Sequence, residues 1–342
     1  MKQIKKIVSV FIVLGLLITA GIAWQFNQFL NAPISTGSAS KIIEIRAGSS
    51  AQRIANLLHK EGFLSSPKLF VWYLRFEEQH HLIKAGEIEI NPQWSVITLV
   101  EKLIEGQTVQ YPVTMIAGQT VQQTLQTIHA LPKIKKTLDL NDISKLQALF
   151  GIEKAVDAKY PYAALEGWLL PETYHYQSGD TDKQVLLRAY HSLKAELDAA
   201  WQGRQKGLPI KTPYEALILA SIVEKETGIA SERPLIAGVF IRRLEKGMRL
   251  QTDPTVIYGI GQTYDGNIRK RDLLEKTAYN TYRINRLPPT PIALPSKEAI
   301  QAVMHPQETK ALYFVAKGGG EHYFSKTLVE HNKAVRKYLL NK

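Results

Sequence analysis

Between Thr212 and Gly228 the chain reads Thr-Pro-Tyr-Glu-Ala-Leu-Ile-Leu-Ala-Ser-Ile-Val-Glu-Lys-Glu-Thr-Gly, and its middle, Ala216 to Val223, is apolar on every side but for Ser221. A helix of that kind has no face to offer water, so the rest of a domain must close around it. Its ends are marked as well. Thr212 followed three residues on by Glu215 is a capping box, Pro213 fits the first helical position, and Gly228 stands where a left-handed C-terminal cap is expected. The pattern predicts a buried helix from about Pro213 to Thr227, with Glu224 and Glu226 emerging from the core at its end.

At about 100° per residue the two glutamates point to nearly opposite sides and cannot share one proton as a dyad. Only one of them faces a given cleft. Behind Glu226, three and four residues back, stand Val223 and Ile222; behind Glu224 stand Ser221 and Ala220, so Glu226 has the more apolar wall. Both lie in the last turn, where the negative end of the helix dipole disfavours an ionised carboxylate. Desolvation and dipole raise the pKa together, which suits a general acid that must hold a proton near neutral pH. The same residues also read as an ordinary solvated Glu-Lys-Glu helix end, and this segment by itself leaves both readings open.

Ile7 to Trp24 is an apolar run preceded by Lys2, Lys5 and Lys6. It is long enough to cross a hydrocarbon core as one helix, and the positive flank predicts a cytoplasmic N-terminus. Small residues at Ala20, Gly21 and Ala23 keep a cleaved signal peptide in competition, but the run exceeds the roughly 7 to 15 residues of a usual signal-peptide core. Everything after about Asn31 is then expected outside the cytoplasm. The chain has 342 residues and no cysteine, which allows two domains and excludes disulfides, a thiolate nucleophile and a lipidated cysteine. Its net charge of +12 suits an anionic surface, either lipid headgroups or a cell-wall polymer. Nucleic acid is not expected, since no zinc-ligand spacing, aromatic RNA-binding signature or basic recognition helix is present.

Asn31 to Ser40 reads as a Pro/Gly/Ser linker. A short theme then recurs three times: strand, turn with a Ser or Thr cap, helix. Ile42 to Arg46 alternates as a strand, Ala47-Gly48-Ser49-Ser50 turns, and Ala51 to Lys60 is an amphipathic helix ending at Gly62. Glu87 to Ile90 is followed by a turn to Ser95 and a helix from Val96 to Glu105, closed by Gly106. Gln110 to Ile116, Ala117-Gly118-Gln119-Thr120 and a helix from Val121 make the third copy. The portion from Ile45 to Gly106 resembles a LysM-type module, a small peptidoglycan-binding unit of short strands and two helices, through its Ala-Gly-Ser-Ser turn and spacing. Trp72 and Trp94 are its candidate sugar-stacking rings, with plain core packing as the other reading.

Residues 131–158 read as a polar, helical connector. Leu165-Glu166-Gly167-Trp168-Leu169-Leu170-Pro171-Glu172-Thr173-Tyr174 is a patch of rings and carboxylates, suited to carbohydrate recognition or, equally, to a buried turn. Lys183 to Trp201 reads as an amphipathic helix, and Ser231 to Lys246 as another, with Ser231 as its cap and Arg242, Arg243 and Lys246 in its last turns. Arg249, Gln251, Thr252 and Asp253 form a polar cluster in a turn of the kind that lines clefts. Leu287-Pro288-Pro289-Thr290-Pro291-Ile292 is a rigid loop that can serve as a cleft wall. Ser296 caps a short helix, Leu312 to Ala316 and His322 to Ser325 form a hairpin, and Thr327 with Glu330 boxes the final helix.

The run Ala220 to Thr227, with Leu250 to Gly259 and Tyr279-Asn280-Thr281-Tyr282, closely resembles the endolytic murein transglycosylases, the MltG or YceG-like family, and the likeness covers nearly the whole chain. The resemblance implies an α+β fold with an N-terminal transmembrane helix, a small LysM-like α+β module and a larger helix-rich α+β catalytic domain. The expected division is 1–30 for cytoplasmic tip and anchor, 31–40 for the linker, 41–108 for the module and 109–342 for the catalytic domain, connector included. It implies cleavage of the MurNAc-GlcNAc bond of peptidoglycan strands without added water, leaving 1,6-anhydro ends. It makes Glu226, the second glutamate of Val-Glu-Lys-Glu, the general acid and base. Glu166, Gln251, Asp253, Asn280 and Tyr282 are the further candidates for contacting sugar. Thr290 departs from the glycine expected at its place. The implied setting is the inner membrane, single-pass, with the catalytic domain extracytoplasmic, beside penicillin-binding protein synthases. No metal or cofactor is expected: the nine histidines show no His-x-x-x-His pair, and there is no Gly-x-Ser-x-Gly elbow. The competing functions are a hydrolytic muramidase using Glu166 or Asp253 as base, and a non-catalytic wall-binding scaffold.

Overall fold

The computed structural model describes residues 2–153 and 157–340, and the chain divides into two compact units, Met1–Tyr111 with Gln177–Gly179, and Pro112–Tyr176 with Asp180–Lys342. The first opens with α1 (Lys2–Asn31), of which Lys6–Asn31 is apolar and long enough to cross a membrane. It continues with β1 (Lys41–Ile45), α2 (Ala51–Lys60), α3 (Pro67–Phe76), β2 (Gly86–Ile90) and α4 (Val96–Glu105). β1 and β2 pair antiparallel with Ile43 opposite Ile88. The alternation of the two strands turns Ile43, Ile45, Ile88 and Ile90 to one face, where Leu58, Phe70, Leu74 and Leu99 cover them. The expected linker is fastened rather than loose: Ile34 N–H donates to Trp94 O at 2.8 Å, and Phe29, Leu30 and Ile34 pack on this core. α3 lies outside the elements expected from the sequence.

The second unit runs β3 (Tyr111–Thr114), α5 (Val121–His129), α6 (Ile143–Leu149), β4 (Thr173–Tyr176), α7 (Asp182–Gly203), α8 (Pro213–Glu226), α9 (Arg233–Glu245), α10 (Asp253–Ile260), α11 (Lys270–Leu274), α12 (Lys297–Met304), the hairpin β5 (Tyr313–Gly318) and β6 (Glu321–Ser325), and α13 (Leu328–Val335). β3 pairs with β4. All eight residues from Ala216 to Val223 of α8 are buried, enclosed by α7, α9, α10 and α12. Leu193, Leu197, Phe240, Ile300 and Val303 supply the enclosing surface. Each fully buried aliphatic side chain there contributes about 1.5–3 kcal/mol.

The three recurrent caps form as the pattern requires: Ser50, Ser95 and Thr120 accept the backbone N–H of Arg53, Thr98 and Gln123. Two helix boundaries differ. α8 ends at Glu226 because Thr227 turns extended (φ −145°), so Gly228 is no left-handed cap. α9 starts at Arg233, with Pro234 in its first turn, after a 3-10 turn at Ala230–Glu232, so Ser231 does not cap it. Among its described residues the connector is helical only in α6; its first part is held by Asp182, which accepts Thr137 N–H at 3.0 Å and Leu138 N–H at 3.1 Å. Residues 154–156 of the connector lie outside the described residues.

The Leu165–Leu170 patch is a buried turn: Leu165, Glu166, Gly167, Leu169 and Leu170 are buried, and Trp168 stacks on Tyr214 with ring centroids 5.6 Å apart. Its pivot is Gly167, at φ +80°, where a Cβ would stand 2.7 Å from the ring carbons of Pro291. The patch and the proline loop thus pack against each other through the absence of a side chain. Gly167→Ala should cost about 2–3 kcal/mol in thermal or urea denaturation, from backbone strain plus overpacking. Gly207→Ala, at φ +82° with nothing near its Cβ, should cost about 1 kcal/mol for backbone strain alone. Equal losses in the two variants would contradict the close approach.

Candidate active site

Glu226 is the last residue of α8 and half-buried, and Ile222 and Val223, one turn back on the helix, are fully buried. Its carboxylate accepts a hydrogen bond from Thr252 Oγ1, at the N-terminus of α10. Thr252 is itself held in place. Its N–H donates to Thr281 Oγ1 at 3.0 Å, and its carbonyl accepts Thr255 Oγ1 at 2.8 Å. Thr255 and Thr281 hydroxyls lie 2.9 Å apart, all three threonines being buried. The backbone that carries this hydroxyl is therefore fixed by buried hydrogen bonds, and it places Oγ1 against one carboxylate oxygen.

Burial raises the Glu226 pKa to about 7; the Thr252 hydrogen bond opposes the rise, the charge of Asp253 adds to it and that of Arg243 opposes it. Arg243 is a buried cation, 6% exposed, whose Nε donates to Leu312 O at 2.6 Å and whose Nη1 donates to Leu250 O at 2.7 Å, Arg249 O at 3.1 Å and Gln251 Oε1 at 3.3 Å. Its guanidinium also lies over the Tyr313 ring, 5.0 Å from the centroid. Gln251, exposed, holds φ +51°, an unfavourable left-handed conformation for a side chain of this size. Asp253 is exposed and accepts the Tyr282 hydroxyl at 2.7 Å. Glu226, Gln251, Asp253 and Tyr282 thus belong to one cluster, held together by Thr252 and Arg243.

The other candidates are occupied elsewhere. Glu166 is 1% exposed, accepts Val121 N–H at 2.7 Å and the Tyr258 hydroxyl at 3.2 Å, and has a pKa raised by burial to about 8. Asn280, also 1% exposed, spends its amide on the end of α11, donating to Glu275 O at 2.6 Å and Asp272 O at 3.0 Å and accepting Tyr282 N–H at 3.0 Å. Both are braces: Glu166 for the start of α5, Asn280 for the loop that carries Tyr282. Glu224 accepts Arg233 Nη2 at 3.2 Å and Ser296 N–H at 3.0 Å, binding α8 to α9 and α12. Ser221, the one polar residue of the buried stretch Ala216–Val223, accepts Ile292 N–H at 3.0 Å and so tethers the proline loop. Thr290 is built into that loop, its hydroxyl 2.8 Å from Tyr279 Oη. A cleft of about 400 Å³, lined by Gly259, Tyr264, Asn267 and Asp272 among others, is at the other end of α10 and does not include Glu226.

Thr252 belongs to the polar cluster that the sequence marks as cleft-lining but is not among the candidates for contacting sugar, and Arg243 is not marked as a site residue at all. Arg243 reads as a helix-end cation, yet it falls seven residues after Ile236 and three after Phe240, on the apolar stripe of α9, and that misplaced charge was the available signal. The Thr252 hydroxyl stabilises the ionised form of Glu226, so Thr252→Val should raise the Glu226 titration midpoint by about one unit, worth about 1.4 kcal/mol. Carboxyl NMR of glutamate-labelled protein measures it; an unmoved midpoint would contradict the arrangement. Between the ordinary glutamate value of 4.5 and the folded values of about 7 and about 8, Glu226 and Glu166 hold protons that the unfolded chain has released. Stability from these groups is thus fully present below about 4.5 and lost as pH rises through the folded values. Glu226→Gln should melt a few degrees higher than the parent at pH 8 and at nearly the same temperature at pH 5; no gain at pH 8 would contradict the raised pKa.

The profile of the YceG-like family matches residues 43–337. The chain is 32% identical over 335 residues to the endolytic murein transglycosylase of Bacillus subtilis, spanning 94% of this chain and 91% of that one. It is 29% identical over 370 aligned positions to the endolytic murein transglycosylase of Streptococcus pneumoniae, spanning 99% of this chain and 66% of that one. A 2.6 Å crystal structure of a YceG-like protein from Listeria monocytogenes aligns with a TM-score of 0.54 at 30% identity, over 87% of this chain and all of that one. A match that takes in both units, and every residue of the Glu226 cluster, makes this chain a member of the YceG-like family.

Proposed function

We propose that this chain is a peptidoglycan lytic transglycosylase that cleaves the MurNAc-GlcNAc β-1,4 bond within glycan strands and leaves 1,6-anhydro-MurNAc ends. The relatives named above as endolytic murein transglycosylases support the reaction class. The observation that carries the mechanism is a half-buried carboxyl with a pKa near 7, hydrogen-bonded to the Thr252 hydroxyl.

Glu226 in its protonated form donates to the glycosidic oxygen as the bond to the leaving sugar breaks. Charge then develops on the anomeric carbon, and the exposed carboxylate of Asp253 is the group of suitable sign. The C6 hydroxyl of the same muramic residue attacks that carbon, and the Glu226 carboxylate takes its proton. The proton count closes: Glu226 ends as it began, and no water is consumed. Thr252 steadies the carboxylate form between the two transfers. Gln251 and Tyr282 are the substrate-orienting groups, while Glu166 and Asn280 act through the backbone they brace.

A hydrolytic alternative needs a second carboxylate to activate water. Glu166 is enclosed and already hydrogen-bonded, so Asp253 is the remaining base for that reaction. The order β1-α2-α3-β2 supports the LysM-like reading of the first unit and a role for it in holding glycan. The apolar stretch Lys6–Asn31 supports a single-pass anchor, N-terminus cytoplasmic, with both units on the outer side. From there the enzyme would act on nascent strands near the membrane, beside penicillin-binding synthases, and terminate glycan elongation.

Glu226→Gln should lower cleavage of uncrosslinked glycan by about 10²–10⁴-fold, the range supplied by general acid–base catalysis. Mass spectrometry of the wild-type products should find anhydro ends. Full activity in Glu226→Gln would remove the catalytic assignment; reducing muramic ends would replace the transglycosylase with a muramidase; no cleavage by wild type would leave a wall-binding scaffold.

A further inference from the structure

α3 has two apolar faces, and only one is used by the core. Phe70, Val71 and Leu74 are buried, whereas Leu69, Trp72 and Phe76 are 39%, 53% and 69% exposed. At 100° per residue the three exposed side chains fall within about 60° of one another, and Lys68 and Arg75, both exposed, run along one edge of the stripe. Trp72 and Phe76 stack with centroids 5.2 Å apart. A contiguous apolar stripe with a basic edge is what a helix lying in a membrane interface presents.

The place of this stripe in the first unit says what covers it. Phe26 of α1 meets the Trp72 ring edge-on at 5.0 Å, and Phe29, Leu30 and Ile34 secure the end of α1 to the core that α3 also joins. Phe26 stands two residues past Trp24, the end of the apolar run, which is about 3 Å of helix. An amphipathic helix buries its apolar face about 5–10 Å into the headgroup and acyl boundary, so a span ending at Trp24 carries Trp72 and Phe76 at that depth. Trp24, 63% exposed, and Trp72 then sit where interfacial tryptophans are favoured. A sugar ligand fits less well: of the three side chains on the stripe only Trp72 has a polar atom, and Leu69 and Phe76 offer a saccharide no hydrogen bond.

We propose that the Leu69-Trp72-Phe76 face of α3 is a membrane-docking surface that seats the first unit on the phospholipid bilayer, with Lys68 and Arg75 over anionic headgroups. It rests on the reading of α1 as a membrane span. The unit is then set at a fixed height on the bilayer and does not trail from a flexible tether.

The absence of cysteine makes the test direct, because one introduced cysteine carries one label. Spin labels at Leu14→Cys, Phe76→Cys, Leu69→Cys and Gln52→Cys, one per full-length chain, are compared in vesicles of phosphatidylcholine and phosphatidylglycerol. Their accessibility to oxygen and to a water-soluble nickel chelate reports depth. The expected result is residue 14 in the hydrocarbon, residues 76 and 69 in the interface with several-fold lower nickel accessibility than residue 52, and residue 52 in water. Residue 14 in the hydrocarbon with residues 76 and 69 as open as residue 52 overturns the docking surface and leaves the span intact. Nickel access at residue 14 overturns both. Spin-spin broadening at residue 76 would assign the face to a second copy of the chain, and shielding only on addition of glycan fragments would assign it to sugar; either overturns the proposal.

Discussion

The enclosure of α8 is the constraint on which the second unit depends. Eight consecutive residues from Ala216 to Val223 have no exposed face, so α7, α9, α10 and α12 must surround them. A helix buried along its length also delivers its last residue to the edge of the core. Glu226 is thus desolvated by the packing that holds the domain together, and its raised pKa is a by-product of the hydrophobic effect.

Three carboxylates near this core show how environment assigns work to one residue type. Glu224, two positions before Glu226, points the other way and ties α8 to Arg233 and Ser296. Glu166 is sealed between Val121 and Tyr258, with a pKa of about 8, and has no opening to a reactant. Glu226 alone combines partial exposure, one hydroxyl partner and a midpoint near neutrality. The buried threonines behind Thr252 then act as a brace: they fix its backbone, and its hydroxyl binds one oxygen of the Glu226 carboxyl.

Local chemistry was the part of the fold most legible in the sequence. Caps at Ser50, Ser95, Thr120, Thr212 and Thr327 are read from a few neighbouring residues, and each accepts the expected N–H. The end of α8 was misjudged because Gly228 is a weaker terminator than Thr227, whose hydroxyl accepts Ile229 N–H and draws the chain out of the helix one residue early. α3 was missed because its two apolar faces break the single-stripe pattern by which surface helices are recognised. The Glu226 helix end is legible locally, but Thr252 and Arg243 stand 26 and 17 positions further along the chain, and only packing reveals that they converge. Glu166 and Asn280 were drawn into the candidate list by polarity within notable motifs, and burial gives them bracing roles.

The proposed mechanism requires that Glu226 carry a proton close to neutral pH and that this proton pass to the glycosidic oxygen. Its most direct test is to follow the Glu226 carboxyl by NMR and the rate of glycan cleavage on the same wild-type sample across the pH range. One midpoint near pH 7 is expected in both, with cleavage falling as the carboxyl ionises. A Glu226 carboxyl that titrates near 4.5 while cleavage persists unchanged through neutrality would contradict it.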